Sequence, residues 1–395
     1  MKLFQRLLVA PAALGLMAPL AANANEVNLN EISNYSDVES IEFANSFDDD
    51  SSNQSPLLAG GEGLVNSSDS FDGSFSETTT ASFGVNFYLG AIDDDDAGVN
   101  DFDDNFTTGY DFNIGLNTSF TGEDSLDIEL QAGHADSVGI AEFDTDNTTN
   151  EALVVDEISY TFPLGDNITV MVGDNKDASS LFTTACVYGG PTDTLDACGN
   201  VNAAVDNGGV MGGLSYDFGN GLTTAVGYAG SEDDLANEEG ADAYGLNVAY
   251  TGDSYGVSFT YGALEDGAAA PQDNMGTDFA YALNAYWTPD TDGLPSISVG
   301  YEYGEDDSEV AASDEYTNVF LGLQWDEVGP GTLGLGMGTR VNTVEDTDEQ
   351  YQYEAFYDYA INDGMTITPV IFVKDVSTAN TDDTTGVMLR TSFSF

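Results

Sequence analysis

The feature that most constrains this chain is a period of two that begins near residue 79 and runs to residue 395. In ETTTASFGVNFYLGAI, Phe83, Val85, Phe87 and Leu89 share one face while Ser82, Gly84 and Asn86 share the other, and the same alternation closes the sequence at VMLRTSFSF. Such alternation specifies β-strands with two chemically different faces. Sixteen runs read this way, at about 79–92, 108–120, 125–134, 152–162, 167–174, 209–218, 221–230, 242–251, 254–262, 277–288, 296–304, 315–325, 331–342, 350–360, 365–374 and 385–395. The connections between them alternate in length. Short turns such as PLGD at 163–166, GN at 219–220, GD at 252–253 and INDG at 361–364 alternate with long acidic loops, the longest at 175–208. An immunoglobulin-like sandwich also alternates along its strands, but its connections do not sort by length onto two rims. A closed barrel in an outer membrane does, with an even strand count, short turns at one end and long loops at the other. The expected fold is therefore all-β: a transmembrane antiparallel β-barrel of about 16 strands, of the outer-membrane porin type, over residues 79–395.

The two faces differ as this fold requires. One carries Tyr110, Phe112, Ile114 and Leu116, then Leu126, Ile128 and Leu130, then Tyr255, Val257, Phe259 and Tyr261; the other carries Asp111, Asn113, Asp127, Glu129, Gln131 and Ser258. The apolar set, with Val387, Leu389, Phe393 and Phe395 at the end, is expected to meet hydrocarbon, where open strand edges are too costly and the sheet must close. Aromatic residues gather near strand ends, as at Tyr301, Tyr303, Tyr351, Tyr353, Tyr357 and Tyr359, where interfacial girdles belong.

Ahead of the barrel, MKLFQRLLVAPAALGLMAPLAANA has a basic start, an apolar stretch broken by Pro11 and Pro19, and a small-residue site, and reads as a signal peptide cleaved after Ala24. Residues 25–78 are polar and acidic without either periodicity, and are expected to be a disordered periplasmic segment. With Lys2 and Arg6 removed, four basic residues stand against 70 acidic ones. Nucleic acid is a poor partner for such a chain. The acidity reads either as surface solvation in a salty habitat, where self-repulsion is screened, or as selection for cations.

The leader and the following EVNLNEISNYSDV resemble those of porins from marine cyanobacteria. The stretches ISYTFPLGDNITVMVGD, GGLSYDFGNGLTTAVGYAG and GMTITPVIFVKD resemble strand pairs of the cyanobacterial iron-uptake porins, relatives of the carbohydrate-selective porins. The resemblance covers the leader and the barrel. It implies an outer-membrane location in a cyanobacterial, Gram-negative-type cell and passage of small solutes, with iron or carbohydrates among them. Members of that family carry an S-layer-homology domain and a coiled-coil stretch between leader and barrel; residues 25–78 supply neither, so wall tethering is not implied. Likeness to general porins further implies a homotrimer, a third external loop folded into the bore, and a terminal aromatic signal, here Phe393 and Phe395, read by the barrel-assembly machinery.

Few residues offer chemistry. Cys186 and Cys198 lie in the 175–208 loop and, in an oxidising compartment, are expected to form a disulfide. Two thiols without further ligands make no metal site, and no cofactor is expected. His134 stands alone, without a Ser-rich elbow or HExxH motif beside it, so no enzymatic activity is expected. The polar register nominates Asp111, Asp127, Glu129, Glu157, Asp217, Glu302, Glu354 and Asp358 as pore-lining acids, and Lys176, Arg340, Lys374 and Arg390 as pore-lining bases. Three of the four bases fall in one sector of wall, which reads either as one side of a weak transverse field against acidic groups such as Asp193 and Asp196 or as chance clustering of few residues. Acidic runs at Asp93–Asp96 and at 304–309 read either as solvated loops or as cation bridges to lipopolysaccharide and neighbouring lipid. The expected function is passive diffusion of small hydrophilic solutes and ions with a preference for cations; a carbohydrate-selective porin or a surface adhesin is the alternative.

Overall fold

The computed structural model describes residues 79–93, 106–135, 140–143, 145, 149, 151–205, 209–232, 235, 242–264, 279–291, 293–305, 315–340, 343–344, 348–375 and 383–395. The expected leader at 1–24, the acidic segment at 25–78, Asp94–Asp96 and residues 306–309 lie outside them. Sixteen long strands form one antiparallel sheet: β1 (Thr79–Asp93), β2 (Thr107–Thr118), β3 (Ser125–His134), β4 (Val154–Pro163), β5 (Ile168–Lys176), β6 (Gly209–Asp217), β7 (Leu222–Gly230), β8 (Asp242–Thr251), β9 (Tyr255–Leu264), β10 (Phe279–Trp287), β11 (Ser296–Glu305), β12 (Glu315–Val328), β13 (Gly331–Thr339), β14 (Tyr351–Asn362), β15 (Met365–Lys374) and β16 (Thr384–Ser394). Each pairs with its neighbours in sequence, and β16 returns to β1 in a ladder from Gly84↔Ser394 to Asp93↔Thr385. The barrel is closed, as the alternation requires. A two-residue ladder, Thr343–Val344, extends β12 by pairing with Tyr316 and Thr317.

Burial along the strands inverts the order of a water-soluble protein. In β8, Asn247 is 1 % exposed while its neighbours Leu246 and Val248 are 38 % and 39 % exposed. In β9, Ser258 and Thr260 are buried while Val257 and Phe259 face outward. An apolar exterior on a sheet without free edges suits a bilayer core, since every ladder N–H and C=O is satisfied within the barrel.

Short turns and long connections alternate around the rims. In the short turn after β6 the Phe218 N–H donates to the Leu222 carbonyl and Gly219 and Gly221 take positive φ. At Gly221 a Cβ would also run into the Thr251 carbonyl on the neighbouring strand. The turn before β3 is built around Asp124, which accepts from the backbone N–H groups of Phe120 (3.0 Å) and Thr121 (2.7 Å) and from the hydroxyls of Ser119, Thr121 and Tyr160.

Strand limits match the sequence reading within two residues, except that β12 runs on to Val328 through a bulge after Trp325 and β13 stops at Thr339, leaving Arg340 just beyond the strand. A second difference is chemical. The inner face is not uniformly small or polar, because Tyr88, Phe320, Phe356, Val370, Phe372 and Met388 point inward and are buried. They are covered by chain from the connections.

Candidate functional site

The connection between β5 and β6 turns into the barrel. Four of its N–H groups, at alternate residues of an extended stretch, donate in turn to side chains of successive parts of the wall. Thr183 reaches Asn247 Oδ1 (3.0 Å), Ala185 reaches Ser258 Oγ (2.9 Å), Val187 reaches Ser298 Oγ (3.0 Å) and Gly189 reaches Gln324 Oε1 (3.0 Å). These acceptors belong to the inward registers of β8, β9, β11 and β12, so the segment crosses the strands on the inside of the wall. An unpaired buried N–H costs about 1–3 kcal/mol, and Ser258 removes that penalty for the buried Ala185.

Two wall carboxylates clamp the rest of the loop. Glu302, fully buried, accepts from the N–H groups of Asn202 and Ala203 (both 2.9 Å) and from the amides of Asn202 (2.7 Å) and Asn318 (3.0 Å). Glu354, 4 % exposed, accepts from the Tyr188 hydroxyl (2.6 Å) and from that of Thr192. Burial, with the Glu354 carboxylate beside it, holds the Tyr188 hydroxyl well above the usual phenol range, so it remains a donor. Cys186 and Cys198 are disulfide-bonded with Cα atoms 6.5 Å apart, and between them lies the helical turn α1 (Asp193–Asp196). Closing so small a loop constrains the unfolded chain by about 3 kcal/mol.

Small wall residues make room for this segment. Gly227, Gly245, Gly262 and Ala280 are cross-strand partners on β7 to β10. A Cβ at Gly245 would meet the Phe182 ring, and one at Gly262 would lie 2.8 Å from Val205 Cγ2. Further round, a Cβ at Gly300 would strike the Cys198 carbonyl, and Gly322 and Gly336 pass beneath the Tyr188 ring. Tyr188 stacks obliquely against Phe320 (5.3 Å) and Phe356 (5.7 Å), which explains the apolar patch on the inner wall.

A second connection, between β3 and β4, joins the first inside the barrel. Phe143 bridges to Thr192, the Asp193 N–H donates to the Glu142 carbonyl (3.0 Å), and the Thr194 hydroxyl donates to the Glu142 carboxylate (3.3 Å). Glu142 also holds an ion pair with Lys374, while Phe143 packs on Tyr88 (5.2 Å) with the Arg390 guanidinium over its ring (5.8 Å). Sequence reasoning missed this contact; the only signal is one aromatic in an otherwise acidic loop, IAEFDTD.

The nominated acids separate into different settings. Glu302, Glu354 and Asp111 are buried and engaged, Asp111 by the Asn86 amide (2.8 Å) and the Tyr88 hydroxyl. Asp127, Glu129 and Glu157 line a recess of about 300 Å³ on the β1 to β5 wall, together with Met171 and with Lys176, which is ion-paired to Glu157. A bulge shifts the register here, pairing Glu129 with Glu157 but Leu130 with Val155, so Asp156 is an extra residue whose carboxylate takes the inward Gln131 amide. The sequence reading omitted Asp156. Asp358 accepts from the Thr368 hydroxyl and lines a second recess with Arg390. Asp217 is exposed at the short-turn rim, where it accepts from the Gly219 N–H (2.7 Å). Among the bases, Arg340 donates to the Gln350 side chain (2.8 Å). His134 ends β3 opposite Tyr110. Phe393 packs edge-on against Phe87 (6.1 Å) and Phe395 stacks on Phe83 (5.4 Å). Among the described residues no group of three metal-ligating side chains converges, and no helix is long and apolar enough to cross a membrane.

No family model matches the chain. It is 26 % identical over 349 residues to an uncharacterized protein of Nostoc sp., an alignment covering 71 % of this chain and 60 % of that relative. Among solved structures it is similar to a mutant of the Rh. blastica porin, with a TM-score of 0.54 at 13 % identity over 80 % of this chain and all of that one. It is likewise similar to OprB of Pseudomonas putida, with a TM-score of 0.57 at 10 % identity over 80 % and 94 % of the two chains. The architecture is thus shared with porins at identities that speak for the fold alone.

Proposed function

We propose that this protein is an outer-membrane porin, a passive channel for inorganic cations and small hydrophilic solutes, whose bore is narrowed by residues 177–205 together with 140–143. The observation that carries this reading is the extended stretch 183–189 lying across the inside of a closed barrel, each alternate N–H held by a wall side chain. A loop held so firmly within the bore reduces the cross-section while the β1 to β5 wall keeps a recess lined by Asp127, Glu129 and Glu157. Preference for cations follows from that wall: those three carboxylates, with Asp156 beside them, outnumber the single ammonium of Lys176. A narrow, low-dielectric bore focuses such a field, raising the local cation concentration and excluding anions.

Passage of iron and a cyanobacterial outer membrane as the home of the protein extend this reading on the strength of the resemblance noted above. So do a cleaved leader, a homotrimer, assembly through the terminal aromatic residues and contact with lipopolysaccharide. The test is conductance of the purified protein in a planar bilayer. Discrete channel steps are expected; none at any protein concentration would favour a structural or adhesive barrel.

A further inference from the structure

Arg390 is a base of the inner wall that holds no carboxylate among the described residues. The chain has six basic residues against 70 acidic ones, and within the bore Lys176 and Lys374 each hold a carboxylate. Arg390 lies on the inward register of β16 opposite Thr368 and, among the described residues, forms no ion pair; its Nε is buried without a protein acceptor, and Phe143 covers the guanidinium. A buried N–H without an acceptor is uphill in free energy, and a chain so rich in carboxylates had many ways to supply one.

Beside the guanidinium, toward the short-turn rim, a recess of about 440 Å³ is lined by Thr332, Asp358, Thr366, Thr368 and Ser392. Its volume falls within the roughly 300–1,000 Å³ of small-molecule sites. Thr368 turns its hydroxyl to Asp358 and fixes that carboxylate. Asp358 on β14 and Arg390 on β16 flank β15, which places their backbones about two strand spacings, roughly 10 Å, apart. Opposite charges thus line one hydroxyl-lined recess, and they form no ion pair with each other.

The ligand chemistry follows by elimination. A net anion suits Arg390 but meets Asp358 in the recess and the acidic field of the whole chain on its way in. A net cation suits Asp358 and is repelled by Arg390. A solute with both charges and no net charge answers both residues and crosses the field without penalty. We propose that this recess is a permeation subsite for zwitterionic amino acids, with the carboxylate on the planar guanidinium of Arg390, the ammonium toward Asp358 and the side chain among the threonines. This inference rests on the channel reading.

The experiment is single-channel recording of the full protein with L-serine, glycolate or glycinamide added on the short-turn side, the block being expressed relative to each channel's own open current. In the wild type, L-serine should reduce the current saturably, while glycolate, which lacks the ammonium, and glycinamide, which lacks the carboxylate, should not. In Arg390→Met and in Asp358→Asn the half-blocking concentration of L-serine should rise at least tenfold. Should Arg390→Met fail to fold, Asp358→Asn and the three solutes on the wild type still decide. An open channel indifferent to L-serine, blocked equally by all three solutes, or unchanged in the Asp358 variant overturns the subsite alone. A protein that opens no channel overturns the channel reading and the subsite with it.

Discussion

The ring of Phe395 stacks on that of Phe83 with centroids 5.4 Å apart, and the two residues exchange backbone hydrogen bonds of 2.9 and 3.1 Å. Residue 395 is thereby tied into the first strand, and the pair sits on the outer face of the seam that closes the barrel. Edge strands left open in hydrocarbon are too costly to persist, so this seam is the step on which closure depends. Replacing Phe395 by Ala is expected to lower the amount of folded protein recovered in the outer membrane, read as the band that shifts on heating before gel electrophoresis. The same replacement at Val257, outward but far from the seam, should have a smaller effect. Equal yields from both would contradict the importance of the seam.

A second prediction concerns the loop inside the barrel. Removing the Cys186–Cys198 bridge by a double serine substitution loses about 3 kcal/mol of constraint on the unfolded chain. Glu302, Glu354 and the 183–189 ladder still hold much of the segment. Conductance should therefore become larger or noisier while the heat-shifted band persists. A channel indistinguishable from the wild type would mean that the bridged segment does not border the ion path.

A third prediction separates two acids that look alike in the sequence. Glu302→Ala removes the acceptor for two backbone N–H groups and two amides at once, at about 1–3 kcal/mol for each buried donor left unsatisfied. Asp127→Asn leaves the loop untouched. The first should raise conductance and its fluctuations by freeing residues 202–203; the second should reduce cation preference at nearly unchanged conductance. Identical phenotypes would refute the division between clamping and lining carboxylates.

That division marks how far the sequence could be read. Alternation is local, so Phe259 between Ser258 and Thr260 already tells which face it takes, and the strand count, the closure and the two rims follow. Contact with the loop is not local. Tyr188 and Glu354 are 166 residues apart, and Thr183 and Asn247 are 64 apart. Period two places Glu302, Glu354 and Asp127 on the same inner face without telling which of them the loop will cover. The seat left a legible trace in β13, where Gly334, Gly336 and Gly338 alternate with Leu335 and Met337 and the last two pack under Tyr188 and Leu195. Their absence of side chains carries no sign of what would fill the space. The inward fold of Glu142 and Phe143 left less, since an acidic loop with one phenylalanine reads equally well as solvated.

The fourth prediction is a pH dependence at the turn before β3. The Tyr160 hydroxyl, followed by the Thr121 and Ser119 donors, holds the Asp124 carboxyl well below the usual carboxylate range against the opposing effect of burial. A depressed folded-state value contributes stability that is fully present above the unfolded value of about 4 and fades as pH falls toward the folded one. The temperature at which the heat-shifted band disappears should be higher for the wild type than for Asp124→Asn at pH 7. The difference should shrink progressively below about pH 4. A difference that grows on acidification would contradict the assignment.

The most direct measurement of the central claim is the reversal potential of single channels across a KCl gradient at low ionic strength. Asp127, Glu129, Asp156 and Glu157 outnumber the one ammonium of Lys176 on the β1 to β5 wall, so a potential of the cation-selective sign is expected. It should weaken toward 1 M salt, where the screening length falls to about 3 Å. A potential of the anion-selective sign at low salt would contradict the account.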